Sequence, residues 1–458
     1  MKNDQLDAVR KALGEKLFQP MQRLATDQVG VEFEFPVVNL AGDAVDFAVC
    51  HETAEQFCAH FNFGQVQRDR NGEIYSATSE ACGDNLSFDC SYNTMELSFG
   101  PEETIDILKA RFEGYFTFLQ DVLKAHGHAL TGMGINPRRD CNVMAPVPVG
   151  RYEMLFDYLR DCDHVQGSQA GQTPAFGLYA CASQIQMDVT EDGVCEMLNV
   201  LNLIEPYKAV LFANSVSKDC KKLLSRDDFW RYSNHGTNPK NAYLYEKHFK
   251  TPQDILDYAM ETSLFCAERN GRYLYFPQIA IQDYFAREIV TGYYRDGGEM
   301  HAMTFKPELS DLQYFRTYHL NALTFRGTVE CRSVCTQPVK ELWAAPAFHA
   351  GIVRQLKEVQ DLIADSAFAK TDPGELRAKL CKRDWDEAIS KKELKRVVTG
   401  LLKISEAGLQ TRGYGEENYL EPLWDRAERL SSPGRDFAEA LESGRSLEKL
   451  ILDYGSLK

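Results

Sequence analysis

A run of alternating acidic and apolar residues, VGVEFEF over residues 29–35, constrains the fold of this chain more than any other segment. Valine, phenylalanine and strict alternation are typical of a β-strand with one apolar and one polar face. Because alternate side chains share a face, Glu32 and Glu34 would point the same way, about 7 Å apart along the strand. The run therefore predicts either a solvated acidic strand or one whose repelling carboxylates are bridged by a cation or an arginine.

Length and charge narrow the class of protein. The chain has 458 residues, enough for a large core and, by length alone, for two or three domains. Its formal net charge of −16 argues against general nucleic-acid binding, which requires a basic surface. An anionic small molecule remains possible because a divalent metal can reverse the sign of a pocket locally. No apolar run approaches the roughly 18–20 residues of a membrane helix, so we expect no membrane partner.

The cysteine and histidine patterns argue against a zinc site. The 13 cysteines are scattered through apolar segments without a CxxC pair, and the histidines form neither HxxxH nor HExxH. Such cysteines are typical of buried free thiols in a reducing cytosol. The N-terminal segment lacks the apolar stretch of a signal peptide, and we expect a cytoplasmic protein.

Turn signals in the first hundred residues predict three β-hairpins and therefore an antiparallel sheet. The hairpins would pair residues 28–38 with 44–50, 65–68 with 73–76, and 86–90 with 94–99. Further strands are predicted at 129–133, 181–189, 273–281 and 324–333, and helices at 52–61, 101–126, 151–160, 195–203, 207–213, 253–268 and 338–364.

No linker divides the chain, so residues 1–458 are predicted to form one domain. Residues 1–26 would form an N-terminal helix, residues 27–365 the sheet with its helices, and residues 366–458 a charged helical region packed on them. A Gly-, Gln- and Ser-rich segment at 166–173 is typical of a mobile loop.

Four predicted strands or hairpins have the same construction, with apolar residues behind and polar residues in front. The polar residues are Glu32 and Glu34, Asp89 and Glu96, Gln184 and Gln186, and Glu330 and Arg332. If they share one sheet, its polar face cannot stay unpaired away from water. Oxygen ligands without cysteine or histidine suit Mg²⁺ or Mn²⁺, and such ions beside an arginine form a site for nucleotide phosphates. Neither a Walker loop nor GxGxxG is present, which argues against a P-loop or Rossmann site.

Several motifs, in one order along the chain, resemble those of the glutamate–cysteine ligase family. VGVEFEF resembles a G-x-E-x-E strand whose two glutamates hold magnesium, and FDCSYNTMELS resembles an acid pair on the next strands. GINPRRD followed by GRYE, then SQIQMDV, LFANS, TVECRS and RGYGEENYLEPL, resemble further motifs up to about residue 425. The chain is similar to the plant-type branch of this family, within the glutamine-synthetase-like carboxylate–amine ligases.

The resemblance implies an α+β fold, with a curved, mostly antiparallel sheet of about six strands surrounded by helices, as in the catalytic domain of glutamine synthetase. It implies that ATP phosphorylates the γ-carboxylate of glutamate and that the amino group of cysteine attacks the acyl phosphate, the first step of glutathione biosynthesis. The single domain would then be catalytic, with Mg²⁺ or Mn²⁺ as cofactor and ATP as co-substrate.

The resemblance also assigns roles to residues of this chain. The implied metal ligands are Glu32, Glu34, Asp89, Glu96, Gln184 and Glu330; the implied catalytic residues are Arg332 and Glu34; and the implied substrate or ATP contacts are Gln186, Arg332 and Arg151. Simpler structural roles stay open for three of these residues. Gln184 would then be a sheet-face amide, Arg332 the partner of a glutamate, and Arg151 a residue of a helix N-terminus.

Two departures from the family pattern leave the acceptor open. Gln186 stands where the branch has asparagine, and residues 220–310, expected around the acceptor, carry no matching motif. Alternative hypotheses are a ligase of the same superfamily with another amine acceptor and a non-catalytic binding protein of this fold. The oligomeric state is not indicated.

Overall fold

A computed structural model describes residues 2–23, 27–161, 174–385 and 387–458 of the chain. The loop predicted at 166–173 lies outside the described residues. The strands, in chain order, are β1 Val29–Asn39, β2 Gln65–Arg68, β3 Ile74–Thr78, β4 Asn85–Phe88, β5 Thr94–Glu102, β6 His128–Leu130, β7 Ser183–Asp188, β8 Ala242–Tyr243, β9 Ser263–Arg269, β10 Arg272–Ala280, β11 Val290–Asp296, β12 Glu299–Phe305, β13 Tyr318–His319, β14 Asn321–Leu323 and β15 Thr328–Cys331.

Helices surround these strands. They are α1 Lys2–Phe18, α2 Phe47–Phe61, α3 Ile105–Ala125, α4 Gly150–Asp161, α5 Val194–Phe212, α6 Arg226–Arg231, α7 Pro252–Glu261, α8 Ile281–Phe285, α9 Ala344–Ile352, α10 Leu356–Ala364, α11 Pro373–Leu380, α12 Lys391–Arg412, α13 Glu421–Arg429, α14 Pro433–Glu442 and α15 Leu447–Tyr454. In the described part of the chain, no helix is both long enough and apolar enough to cross a membrane.

The main sheet is antiparallel and has nine strands among the described residues. Its order is β14-β15-β7-β1-β5-β4-β3-β2, and β6 also pairs with β1. A second antiparallel sheet has the order β12-β11-β10-β9, and the two-residue strands β8 and β13 pair in parallel. The α+β class with antiparallel strands and surrounding helices is therefore confirmed, while the expected count of about six strands was too low.

Strand β1 lies inside the main sheet and has two unlike faces. Its apolar side chains Val31, Phe33 and Phe35 are completely buried. Phe33 makes edge-on ring contacts with Phe112 of α3 at 5.7 Å and with Trp343 at 5.2 Å between centroids. Alternation therefore turns the glutamates of β1 to the opposite face of the sheet.

Helix α3 and the C-terminal helices close the apolar side of the sheet. Thr104 caps α3 by accepting a hydrogen bond from the Ile107 amide. The Glu416 carboxylate accepts the Ile105 amide at 2.7 Å and is bound by Arg412 of α12 at 2.7 Å. The C-terminal helical region is thus attached directly to the start of α3.

Four of the predicted elements were wrong in identity or extent. Residues 44–50 do not return as a strand, because Asp46 caps α2 by accepting the Ala48 amide and the helix begins at Phe47. The helices predicted at 195–203 and 207–213 are one helix, α5, which contains Pro206. The helix predicted at 338–364 is two helices, α9 and α10.

The second sheet was largely missed by the sequence prediction. The helix predicted over 253–268 ends at Glu261, and the residues after it form β9, paired with β10. Strands β11 and β12 were not predicted, and most residues of β12 are exposed. An edge strand with little burial lacks the apolar alternation from which strands are recognised.

Candidate active site

A cavity of about 510 Å³ lies on the polar face of the main sheet and gathers the predicted site residues. Every one of them except Gln186 lines it, namely Glu32, Glu34, Asp89, Glu96, Arg151, Gln184, Glu330 and Arg332. Gln186 lies beside Glu32 and Glu330, to both of which its amide donates, and its carbonyl accepts from Thr328 at 2.7 Å.

The sheet register explains how residues far apart in sequence share this face. Glu34 on β1 lies opposite Glu96 on β5, and Glu32 lies opposite Gln184 on β7. Glu330 on β15 lies opposite Gln186. Directly opposed residues of antiparallel strands project to the same side, so the polar faces predicted separately form one surface.

Three carboxylates form the centre of the site. Oxygen atoms of Glu34, Asp89 and Glu96 all lie within 4.8 Å of one another. Asp89 comes one residue after β4 rather than on the strand. Glu34 accepts hydrogen bonds from the Ala182 amide at 2.6 Å and from the side chain of Gln184 at 2.9 Å.

The carboxylates of this cluster hold their protons unusually tightly. Burial, followed by repulsion from Asp89, raises the pKa of Glu34 to about 8. Burial also raises the pKa of Asp89. The pKa of Glu96 is raised well above its usual range by burial and then by Glu32, Asp89 and Glu34. A cation among these oxygens would remove the repulsion that the protons otherwise relieve.

The donor atoms of this cluster fit a hard divalent cation. Besides the three carboxylates, the side-chain oxygen of Gln184 is buried and has no hydrogen-bond partner in the described chain. Carboxylate and amide oxygens without sulfur or imidazole suit Mg²⁺ or Mn²⁺ better than zinc. Glu34, Asp89, Glu96 and Gln184 are therefore the residues that would hold the ion.

The other two predicted ligands are joined to arginines. Glu330 binds the Arg332 guanidinium at 2.6 Å, and Arg326 lies 3.2 Å from Glu330 and 3.7 Å from Glu32. Burial would raise the pKa of Glu330, but Arg332 and Arg326 outweigh it and lower that pKa. The pKa of Glu32 is raised, first by burial and then by Glu330. A metal-ligand role for Glu32 and Glu330 stays a prediction.

Arginines line the cavity as well as acids. Arg151 and Arg316 are exposed to it, and neither has an ion pair within the described residues. Arg226 is buried and donates to the carbonyl oxygens of Val334 at 3.3 Å and Arg332 at 3.4 Å. Guanidinium groups without carboxylate partners favour binding of phosphate or carboxylate.

Among the cavity residues that sequence reasoning missed are Arg226, His235, Arg316 and Arg326. Arg326 stands four residues before Glu330 in the segment TFRGTVECRS, and that spacing was a usable signal. The other three lie in short helices and irregular backbone, where neither strand alternation nor helical spacing indicates which side chains converge.

The sequence model of glutamate-cysteine ligase family 2 matches residues 28–450, nearly the whole of the 458-residue chain. The chain belongs to this family. The predicted family is thereby confirmed.

Plant members of the family are similar to the chain in sequence. The chloroplastic glutamate–cysteine ligase of Brassica juncea is 24% identical over 367 residues, which covers 78% of this chain and 67% of that protein. The chloroplastic glutamate–cysteine ligase A of Oryza sativa subsp. indica is 21% identical over 335 residues, which covers 72% and 64%. The chain thus spans about two thirds of the length of these relatives.

A solved structure shares the fold. The glutamate–cysteine ligase of Francisella tularensis, crystallised in complex with AMP, superposes with a TM-score of 0.50 at 11% sequence identity. The match covers 93% of this chain and 87% of that chain. It supports the predicted α+β fold with surrounding helices.

The opposite electrostatic surroundings of Glu96 and Glu330 give a testable contrast. Glu96→Gln should stabilise the metal-free protein by about 1–3 kcal/mol at pH 8, since it removes a charge that burial and three carboxylates disfavour. The gain should vanish as pH falls towards the usual value of 4.5, where the unfolded carboxylate is also protonated. Denaturant unfolding in excess chelator at several pH values measures both effects.

Glu330→Gln is the matched control and should have the opposite sign. Its lowered pKa means that the charge stabilises the fold above its unfolded pKa, so the amide should cost about 1–3 kcal/mol at pH 8. Equal losses from both substitutions would show that the acid cluster is not under electrostatic strain.

Proposed function

We propose that this chain is an ATP-dependent glutamate–cysteine ligase. The observation that carries the proposal is a single cavity in which an oxygen-only acid cluster, Glu34, Asp89 and Glu96, faces arginines that include Arg332. Membership of the family supports the same activity. The chain spans about two thirds of the length of its plant relatives, so their activity and substrates are a proposal for this chain.

The proposed reaction has two steps that conserve atoms and charge. An oxygen of the glutamate γ-carboxylate attacks the γ-phosphorus of ATP, the bond to ADP breaks, and γ-glutamyl phosphate forms. The neutral amine nitrogen of cysteine then attacks the acyl carbon, phosphate leaves with the bonding electron pair, and the nitrogen gives one proton to solvent to form the amide. Both steps concentrate negative charge on phosphate oxygens, which fixed cations stabilise.

The acid cluster would hold the metal ion. When bound there, Mg²⁺ or Mn²⁺ would neutralise negative charge on the phosphate groups. Glu34 is fixed for this task by the Ala182 amide and Gln184, so its oxygens are oriented before any substrate arrives. Its raised pKa means that a metal ion must displace a proton at neutral pH.

Arg332 would bind the transferred phosphoryl group or the γ-carboxylate of glutamate. Its guanidinium already binds Glu330 at 2.6 Å, which fixes the planar group at the cavity wall. Arg151 and Arg316 have no ion pair in the described chain and would bind carboxylate groups of the amino-acid substrates. The nucleotide in the Francisella tularensis structure supports a nucleotide site in this fold.

We further propose a reducing compartment, the cytoplasm, for this activity. The cysteines that the structure describes are all free thiols, and most of them are buried. Burial raises the pKa of Cys331 to about 12, so this thiol next to Glu330 and Arg332 stays protonated. It lies behind the sheet as a core residue, and the chemistry makes no use of it.

ADP release with a panel of amines tests the proposed activity. Turnover should require ATP, glutamate and an amine together, with cysteine giving the highest kcat/KM and a γ-glutamyl product. A γ-glutamyl product with another amine but not with cysteine would retain the superfamily chemistry and overturn the named activity. ATP hydrolysis that ignores every amine would overturn the ligase proposal.

The metal requirement is a separate prediction. Turnover should vanish in excess chelator and return with Mg²⁺ or Mn²⁺ but not with Zn²⁺, because the proposed ligands are all oxygens. Full ATP turnover in the presence of excess chelator would contradict a metal site at Glu34, Asp89 and Glu96.

Arg332→Lys tests the role of the guanidinium. Lysine keeps the charge but loses the bidentate geometry of the guanidinium. The activation barrier should therefore rise by about 2–4 kcal/mol, which lowers kcat on the order of 100-fold. Thermal unfolding of the same variant measures the structural contribution of the pair with Glu330. A clear loss of melting temperature with near-normal turnover per folded molecule would assign Arg332 a purely structural role.

A further inference from the structure

His235 is a buried polar side chain on the wall of the cavity. Its side chain has no exposed surface, and it contributes to the lining of the cavity. Neither ring nitrogen has a hydrogen-bond partner among the described residues. Buried imidazole nitrogens are normally satisfied, and a group bound in the cavity that this ring lines would satisfy one of them.

Aromatic rings hold the imidazole in place. The ring of Tyr318 lies 3.7 Å from that of His235 between centroids, Phe265 lies at 5.3 Å and Trp230 at 5.8 Å. Trp230 and Tyr318 are themselves stacked at 4.9 Å. The imidazole is therefore packed among aromatic rings.

The backbone around His235 is tied to two neighbouring elements. Gln278 of β10 donates to the His235 carbonyl oxygen at 3.0 Å. The side chain of Asn234 donates to the carbonyl oxygens of Tyr158 at 2.9 Å and Leu159 at 3.1 Å, both on α4. The position of the ring is thus fixed by the fold before a substrate binds.

The charge state of this ring is also fixed. Burial, followed by the guanidinium groups of Arg316 and Arg332, lowers the pKa of His235 to about 3. A neutral imidazole offers one donor and one acceptor nitrogen. Such a ring suits a weakly polar, uncharged group better than an ammonium group, for which a carboxylate would be the natural partner.

We propose that His235 selects the side chain of the amine acceptor by accepting a hydrogen bond from its thiol. This inference rests on the proposed ligase function. Aromatic rings favour a polarisable sulfur atom, and the thiol is a weak donor that a neutral imidazole nitrogen can satisfy. Arg316 lines the same cavity without an ion pair in the described chain, and it would bind the carboxylate of the same acceptor.

Comparison of cysteine with 2-aminobutyrate tests this role. The two amino acids have nearly the same shape, and 2-aminobutyrate carries a methyl group where cysteine carries the thiol. His235→Phe retains an aromatic ring and removes both nitrogens. It should lower kcat/KM for cysteine by about 3- to 10-fold, the effect of one neutral hydrogen bond, mainly through KM. The value for 2-aminobutyrate should change by less than about 2-fold, because that substrate never used the nitrogen.

A second buried histidine provides the matched control. His349 is completely buried in α9 and does not line the cavity, and one of its ring nitrogens has no hydrogen-bond partner in the described part of the chain. His349→Phe should leave the ratio of the two kcat/KM values unchanged. His235→Gln, which restores a side-chain acceptor, should recover part of the cysteine preference and covers the case in which His235→Phe folds poorly.

The results separate the proposed role of His235 from the proposed ligase function. Loss of the cysteine preference in His235→Phe, with the preference intact in His349→Phe, supports the inference. Equal losses for both amino acids would make His235 a packing residue and overturn it, as would a preference that survives both His235 variants. Ligase turnover in which the unaltered protein does not distinguish the two amino acids overturns the inference and leaves the ligase function standing. Absence of a γ-glutamyl product with every amine overturns both.

Discussion

The two faces of β1 are the constraint on which the rest of the structure depends. Both edges of the strand are paired, with β5 on one side and β7 on the other, so it cannot twist its charged face away. Phe33 and Phe35 are buried in the core behind it, and Glu32 and Glu34 project into the cavity in front. A shift of one residue in register would exchange the two sets, and burial of the phenylalanines prevents it.

A network of buried ion pairs lies in the core beneath Arg332. Next in the chain, Ser333 donates to the buried carboxylate of Glu205 at 3.0 Å, and Lys208 and Arg377 bind that carboxylate at 2.7 and 2.8 Å. Burial would raise the pKa of Glu205, but its ion pairs with Lys208 and Arg377 lower it. The buried ion pairs thus fix the end of β15, from which Arg332 reaches the cavity.

Alternation was sufficient to find the acids and amides that lie on strands, whereas Asp89 comes one residue after β4. Glu32 with Glu34 and Gln184 with Gln186 share a face because a strand has a period of two, whatever surrounds it. The strand predicted at 44–50 failed because the capping interaction of Asp46 and the helical spacing of the residues after it outweigh a short apolar run. Arg316 and His235 could not be found, since only tertiary packing brings their irregular segments to the cavity.

This division between regular and irregular backbone has a consequence for specificity. The groups proposed to serve phosphoryl transfer lie on or directly beside strands whose register and apolar backing fix them together, so a change at one disturbs its neighbours. His235 and Arg316 belong to connecting segments, where a substitution alters a contact with little effect on the sheet. The same carboxylate-bearing face of the sheet can therefore be combined with different residues around the amine acceptor. That is a physical reason why the sequence motifs predicted the family and left the amine acceptor open.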